Sequence, residues 1–259
     1  MKIYLTGSTG TIGSKFTNVT NLSINLLDTK TFPYFDLNDS ATVIHLAGIV
    51  GENNINLDIE KAKTVNILGT IAFAKHILNF TNFRFIFVSS SHVYGNSAQK
   101  HKEDEVLEPI NRYGEQKLIV EEELTRLYSA TNRRFVTARV FSVLGPNMKR
   151  GTLGHSIQNI SIKNPLNFCD DTRDFLTPTQ VANFLSVLAN ASWKYKVYNI
   201  CSGVGQTIRS AAIKYLKDLQ MPINFDLFKP GTSQIPIILG DNTRLIQLIS
   251  TKDRNDVSI

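Results

Sequence analysis

The chain has 259 residues, enough for one large α/β domain or for such a domain with a smaller lobe. Its composition, 42% hydrophobic and 19% charged, is that of an ordinary globular protein. The net charge of +6 is mild and the basic residues are scattered, so we expect no nucleic-acid binding. An anionic small-molecule substrate and a solvated surface with excess lysine both fit this charge.

No targeting or membrane segment is evident in the sequence. Residues 3–5 form only a strand-length apolar run, and no apolar stretch approaches the roughly 20 residues that span a bilayer. The two cysteines, Cys169 and Cys201, lie in different sequence contexts. We therefore expect a cytoplasmic protein with free thiols and no membrane association.

Apolar runs of strand length alternate with helix-length stretches through the first 200 residues. The predicted strands are 3–5, 24–27, 43–47, 83–88, 135–140 and 196–201, and the two long predicted helices are 58–80 and 112–128. This alternation predicts an α/β fold with a parallel sheet and helices on both faces. Turn signals become frequent after Gly145-Pro146. We therefore predict a main domain over 1–146 and a smaller lobe over 147–259, from which the strand at 196–201 returns to the main sheet.

A glycine loop, "YLTGSTGTIGSKF", follows the first predicted strand. Glycines there allow a tight turn and a close approach of the backbone to a pyrophosphate, and a helix beginning at the loop would direct its dipole at the phosphates. The spacing is GxxGxxG, and a plain tight turn is the alternative interpretation. The position predicts that NAD or NADP is bound by Gly7, Thr9, Gly10, Thr11, Ile12 and Gly13.

Asp28 follows the second predicted strand and is placed to accept hydrogen bonds from an adenosine ribose. Its carboxylate would repel a 2′-phosphate and favour NAD, whereas Lys15 and Lys30 would offset that repulsion. A turn-initiating aspartate is the alternative. Asp36 and Leu37 are predicted to lie beside the adenine. The connection from there to the strand at residue 43 is too short for a full helix, so we expect the adenine side of the pocket to be thin.

The segment "YGEQK" places a phenol and an ammonium, Tyr113 and Lys117, four residues apart on one face of a predicted helix. A neighbouring cation favours the phenolate and lowers the pKa of a tyrosine. Such pairs also arise by chance. The position of this one, 23 residues after Ser90 and downstream of the glycine loop, favours acid–base chemistry.

Eight stretches give the chain a resemblance to a known family: "TGSTGTIG", "HLAG", "VNILGT", "VSSSHVYG", "EPINRYGEQK", "ARVFSVLGP", "TRDFLTPTQVANFL" and "YNICSG". They occur in family order over nearly the whole chain. The chain resembles the extended short-chain dehydrogenases/reductases, the branch that holds nucleotide-sugar epimerases, dehydratases and ketoreductases. The resemblance implies a Rossmann-type doubly wound parallel sheet with a small C-terminal substrate-binding lobe. It also implies NAD(P)-dependent chemistry on a nucleotide-diphosphate sugar.

The resemblance also implies catalytic roles. Tyr113 exchanges a proton with the substrate oxygen while hydride moves to or from the nicotinamide, and Ser90, with Ser91 as the weaker choice, hydrogen-bonds that oxygen. Lys117 bonds the nicotinamide ribose and tunes Tyr113. By the same resemblance, Ala47 and Gly48 line the cofactor through backbone contacts. Asn66 matches a family asparagine whose role is structural rather than catalytic.

Several positions depart from the family pattern or bear on the substrate. Ser142 replaces an asparagine that often contacts substrate phosphates. Arg173 matches an arginine that binds the diphosphate in related enzymes, and Lys229 occupies the place of a second one. The alternatives are an ion pair between Arg173 and Asp170, Asp171 or Asp174, and a solvated Lys229. Ser91 and His92 stand where dehydratases have an acidic pair, so they are expected to contact substrate without supporting dehydration.

The expected reaction is reduction of a 4-keto sugar nucleotide to the 4-hydroxyl. A 4-epimerase with tightly held NAD is the alternative, and a non-catalytic NAD(P)-sensing or interaction protein is an alternative of another class. A homodimer is possible within this family. The sequence leaves open the nucleotide base, the sugar and the preference between NAD and NADP, and it assigns no residue to a metal.

Overall fold

A computed structural model describes residues 2–30, 32, 41–80, 83–131, 134–149 and 152–255. Its strands are β1 (Ile3–Thr6), β2 (Thr20–Asn21), β3 (Ala41–His45), β4 (Phe83–Ser90), β5 (Arg134–Val140), β6 (Ser142–Val143), β7 (Thr172–Leu176), β8 (Val197–Ile200), β9 (Gly205–Thr207) and β10 (Ile237–Ile238). Its α-helices are α1 (Glu52–Leu57), α2 (Ile59–Lys63), α3 (Thr70–Ile77), α4 (Arg112–Ser129), α5 (Leu153–Gln158), α6 (Pro178–Asn190), α7 (Ile208–Asp218) and α8 (Thr243–Asn255). A π-helical segment, Thr64–Gly69, joins α2 to α3.

The main sheet has six parallel strands in the order β2-β1-β3-β4-β5-β8. Helices α3 and α4 cover one face, where Phe73 and Leu124 pack on Phe85. Helices α6 and α8 cover the other face, where Leu185 and Leu245 are buried. A parallel sheet buried on both faces confirms the predicted doubly wound α/β fold.

A smaller sheet, β10-β7-β6 with β9 antiparallel to β7, lies at the end of the chain beyond β5. Helices α5 and α7 contribute to a core of their own, in which Leu166, Tyr215 and Phe228 are buried. The strand β8 leaves this region and pairs with β5, from Thr137 opposite Val197 onward. No helix in the described ranges is long and apolar enough to cross a bilayer.

The helix expected after the glycine loop is absent from this part of the described chain, where a single 3₁₀ turn, Gly13–Lys15, stands in its place. The prediction was wrong because the following residues, "FTNVTN", favour extended or turn conformations. Phe16 is already extended, and Asn18 adopts a left-handed conformation with φ 57°. The loop therefore lacks the dipole of a full helix.

The second strand also differs from its prediction at 24–27. It is β2, Thr20–Asn21, and Tyr4 stands opposite Thr20. With the first helix replaced by one turn, the chain returns to the sheet earlier than the sequence pattern indicated. Leu26, which belongs to the predicted strand, and Leu22 before it are both buried beyond β2.

The helix predicted over 58–80 begins at Glu52 and is interrupted at Asp58. The Asp58 side chain accepts a hydrogen bond from Lys61 N at 2.9 Å and so caps α2. The π-helical segment ends at Gly69, where a Cβ would lie 2.3 Å from Leu26 O. The helix predicted over 112–128 corresponds to α4, which ends one residue later.

Candidate active site

A cleft of about 1600 Å³ opens at the carboxyl ends of β1, β3, β4 and β5. This edge of an open parallel sheet is where α/β proteins bind ligands, near the point at which the strand order reverses. The opposite wall comes from the end of the chain beyond β5, through 148–149, 152–153, 165–168 and 232–235. The cleft thus lies between the main sheet and the smaller one.

The glycine loop forms one end of the cleft. Gly7 has φ 71°, and a Cβ on Gly13 would lie 2.2 Å from Gly7 O, so these two positions require glycine. The tight packing leaves a backbone cradle that suits a pyrophosphate. The residues predicted for the dinucleotide that line the cleft are Gly7, Thr9, Gly10, Thr11, Ile12, Gly13, Ala47 and Gly48.

The acidic residue predicted for the adenosine ribose, Asp28, follows β2 and is exposed. It lies seven residues beyond the strand, and its Oδ1 accepts a hydrogen bond from Lys30 N at 3.1 Å. It is not among the residues that line the cleft. Asp36 and Leu37 fall outside the described residues.

Ser90, Tyr113 and Lys117 all line the cleft. Ser90 is the last residue of β4, and Tyr113 is the second residue of α4. One turn further along α4, Lys117 donates from Nζ to Val88 O at 2.9 Å and lies 5.8 Å from the centre of the Tyr113 ring. A hydroxyl, a phenol and an ammonium therefore lie near one another at the end of β4.

Burial sets the protonation of this group. It raises the pKa of Tyr113 to about 12, although the interaction with Ser90 lowers it in part. Burial also lowers the pKa of Lys117 to about 8, against the opposing effect of Glu121. The net effect on the Tyr113 pKa is a rise from desolvation, which is opposite to the lowering expected from the neighbouring cation. Tyr113 is therefore a neutral phenol at pH 7.

The start of α4 is fixed against the turn that follows β4. Asn111 caps the helix by accepting from Gly114 N at 3.0 Å, and its Nδ2 donates to His92 Nδ1 at 2.9 Å. A Cβ on Gly114 would lie 2.0 Å from His92 O, so the close approach of helix and turn requires glycine. The His92 ring stands edge-on to Tyr113, with ring centres 5.6 Å apart. These contacts orient the phenol.

Behind the cleft, a buried ion pair anchors the same elements. Arg139 on β5 donates to Glu121 Oε2 from Nη2 at 2.8 Å and to the Tyr94 hydroxyl from Nη1 at 2.9 Å. The Ser89 hydroxyl donates to Glu121. Ser89 and Ser90 both line the cleft, but the Ser89 hydroxyl is engaged by Glu121.

The residues predicted to bind substrate divide into two groups. Ser91, His92, Ser142 and Arg173 line the cleft. Arg173 also forms the alternative ion pair, since its Nη2 lies 2.8 Å from Asp171 Oδ2. Its Nη1 donates to Thr172 O and Pro236 O. Lys229 is exposed and lies outside the cleft lining.

Several lining residues escaped the sequence analysis. Asn111 carried a usable signal, because an asparagine directly before an amphipathic run is a helix cap. The contributions from the far wall carried none, since they come from irregular segments. Those residues include Met148, Lys149, Thr152, Phe168, Ser233 and Gln234.

Comparison with known proteins places this site in context. GDP-6-deoxy-D-mannose reductase of Pseudomonas aeruginosa is 29% identical over 191 residues, which are 68% of this chain and 62% of that protein. dTDP-4-dehydro-6-deoxyglucose reductase of Escherichia coli is 24% identical over 191 residues, 71% of this chain and 59% of that protein. The chain thus spans about three fifths of the length of the curated relatives it matches.

Solved structures show the same fold. RMD from Pseudomonas aeruginosa, complexed with NADPH, superposes with a TM-score of 0.79 at 23% identity, over 96% of this chain and 93% of that one. A UDP-N-acetylglucosamine 4-epimerase from Methanobrevibacter ruminantium, complexed with UDP-N-acetylmuramic acid, gives 0.77 at 22% identity, over 95% and 91%. The fold is therefore of the Rossmann type.

A family model matches residues 17–201, which include β3 to β5 and all of α4. The matched stretch is well over half of the chain and contains Ser90, Tyr113 and Lys117. The chain therefore belongs to the NAD dependent epimerase/dehydratase family.

Proposed function

We propose that the protein reduces the 4-keto group of a nucleotide-activated sugar to a hydroxyl, with NADH or NADPH as the reductant. One observation carries the proposal: the glycine loop and the group formed by Ser90, Tyr113 and Lys117 open into one cleft. A protein that only sensed a dinucleotide would not need a proton donor in that cleft. Two of the curated relatives that the chain matches are reductases by name.

The chain's own residues supply the proton and hold the carbonyl. Tyr113, neutral because burial raises its pKa to about 12, donates its proton to the substrate oxygen. Ser90 donates a hydrogen bond to the same oxygen, and Lys117 is placed to bond the ribose hydroxyls of the cofactor. When bound, the reduced nicotinamide supplies the hydride to the carbonyl carbon.

The adenosine end of the cleft supports reduction over epimerisation. A 3₁₀ turn replaces the first helix, and β2 has only two residues. An epimerase must retain its dinucleotide through both half-reactions, whereas a reductase must exchange it at every turnover. Within the described residues, this short turn and short strand offer little surface to an adenosine, which suits exchange. The fold shared with 4-epimerases makes epimerisation the second candidate.

Two measurements on the purified protein test the reaction. Absorbance at the dinucleotide bands is recorded before and after dialysis, and NADPH or NADH oxidation is followed with dTDP-4-dehydro-6-deoxyglucose and with the corresponding GDP-linked 4-keto sugar. We expect no retained dinucleotide and oxidation of added cofactor. Stoichiometric NAD that survives dialysis, with sugar conversion and no added cofactor, would establish the epimerase instead.

We also propose a homodimer in the cytoplasm. Leu68 on the π-helical segment and Ile119 on α4 are 53% and 43% exposed, on elements that pack against each other. Such an apolar face suits a second copy of the chain.

The cytoplasmic location is supported by the buried free thiols of Cys169 and Cys201.

A further inference from the structure

Three cations line the described part of the cleft: Lys117, Lys149 and Arg173. Two of them are already engaged. Lys117 is buried with its ammonium on Val88 O, and Arg173 is bound to Asp171 and two backbone carbonyls. Among the residues that the structure describes, none forms a hydrogen bond or ion pair with the Lys149 ammonium.

The turn that carries Lys149 is held beside the glycine loop. Thr11 Oγ1 donates to Asn147 O at 3.2 Å, which links the loop to the turn. On the other side, Thr152 Oγ1 donates to Lys149 O at 2.7 Å. Met148 is buried, and its Cγ lies 2.6 Å from the Cβ position of Gly154. The backbone is thus anchored while the Lys149 side chain is exposed.

Apart from Lys149, the charged side chains that line the described part of the cleft provide no unengaged cation for a bound anion. Asp171 accepts hydrogen bonds from Arg173 and from the backbone and hydroxyl of Ser233, so the Asp171–Arg173 pair is internally neutralised. The remaining carboxylate of the lining belongs to Glu52. A diphosphate is stabilised by charge-assisted hydrogen bonds, which an unengaged ammonium supplies.

We infer that Lys149 binds a diphosphate in the cleft. This is the role that was expected of Lys229 from the sequence. The inference rests on the proposed function, because a dinucleotide and a nucleotide sugar both carry a diphosphate. Lys149 lines the cleft on the wall beyond β5, and the turn that carries it is hydrogen-bonded to the glycine loop. The experiment below separates them.

The test compares Lys149→Met and Lys149→Arg with Lys229→Met, a lysine outside the cleft lining. NADPH binding is measured by fluorescence titration, and dTDP and GDP binding by calorimetry. We expect Lys149→Met to weaken one class of ligand by about tenfold. Lys149→Arg and Lys229→Met should stay within about twofold of the native protein, and thermal melts should be unchanged. Added salt should weaken binding to the native protein more than to Lys149→Met.

Each outcome has one meaning. A loss confined to NADPH assigns Lys149 to the cofactor pyrophosphate, and a loss confined to dTDP or GDP assigns it to the substrate diphosphate. Equal binding by Lys149→Met and the native protein in both arms overturns the inference and leaves the proposed function standing. A native protein that binds neither class overturns both.

Discussion

The side-chain amide of Asn66 donates to Gln116 Oε1 at 2.8 Å and exchanges two hydrogen bonds with the backbone of Ile49. Asn66 lies in the π-helical segment, and Gln116 lies on α4 between Tyr113 and Lys117. Both side chains are buried. The pair therefore couples the loop after β3, which lines the cleft, to the helix that carries the proposed proton donor.

Gln116→Met should loosen this coupling while it preserves the volume of the side chain. Removing the acceptor should lower the free energy of unfolding by about 1–2 kcal/mol and weaken NADPH binding, since the Ile49 loop loses its brace. Denaturant unfolding and fluorescence titration measure the two effects. Glu122→Met, at an exposed position of the same helix, is the control. Unchanged NADPH affinity in Gln116→Met would limit the pair to a purely stabilising role.

Tyr113→Phe should abolish turnover and leave dinucleotide binding nearly unchanged, because only the transferable proton is lost. A positioned acid contributes about 10²–10⁴-fold to the rate. Steady-state NADPH oxidation and fluorescence titration measure the two quantities. Tyr195→Phe removes a hydroxyl that bonds Gln247 rather than any lining residue, and should behave as the native protein. Near-native activity in Tyr113→Phe would exclude it as the donor.

The pH dependence of kcat/KM should report the protonation state of Lys117. Because burial lowers the pKa of Lys117 to about 8, its ammonium is present below that pH and is lost above it. We therefore expect kcat/KM for the dinucleotide, which reflects the free enzyme, to fall as the pH rises through about 8. Lys117→Arg should move this limb to higher pH, since a guanidinium stays protonated. A limb that keeps its position in Lys117→Arg belongs to another group.

His45 should make the fold sensitive to acid. Its Nδ1 and Nε2 bond the hydroxyls of Thr6 and Thr70, and burial lowers its pKa from 6.5 to about 3. Below pH 6.5 the unfolded chain binds a proton that the folded protein refuses, so the free energy of unfolding falls as the pH decreases towards 3. One proton contributes at most about 1.4 kcal/mol per pH unit.

Denaturant unfolding between pH 4 and pH 7 tests this effect in the His45→Gln variant. The variant should be less stable at pH 7 but should lose part of the acid slope. Leu22→Ala removes a buried side chain without a titrating group, so it should lower the whole curve and keep the slope. An acid slope that survives intact in His45→Gln would assign it to carboxylates.

The oligomeric state should depend on the apolar face of Leu68 and Ile119. A lysine at either position would bury an unpaired charge in a dimer, so Leu68→Lys and Ile119→Lys should be monomers by light scattering. Leu219→Lys places the same charge at a residue that is 41% exposed after α7, and should leave the mass unchanged. A native protein of monomer mass would contradict the proposed dimer.

Periodic segments were predictable from the sequence, and so was the chemistry attached to them. Helix α4 shows an amphipathic pattern behind a cap residue, so its spacing alone places Tyr113 and Lys117 on one face. The apolar run 83–88 was predicted to be a buried strand, and β4 extends two residues further, to Ser90. The absence of the first helix could not be predicted. It depends on weak conformational preferences in "FTNVTN", whereas the preceding glycine loop is typically followed by a helix.

The far wall of the cleft could not be predicted for a different reason. Arg173 has three aspartates within three residues, and the choice of Asp171 depends on the path of 232–236, which brings Ser233 and Pro236 to the same place. That path follows from tertiary packing and leaves no periodic trace. Lys229 was predicted from the sequence to bind substrate, whereas Lys149 was not, and only the fold shows that Lys149 lines the cleft and that Lys229 does not.

The place of β8 in the main sheet has a consequence for synthesis on the ribosome. Strand β5 is complete at Val140, but its neighbour β8 spans Val197–Ile200, after α5, β7 and α6 have been made. Throughout that interval one edge of β5 has unpaired amide and carbonyl groups, which can template pairing with another chain. A nascent chain halted before residue 197 keeps this edge open, so the region beyond β5 protects the sheet as well as forming one wall of the cleft.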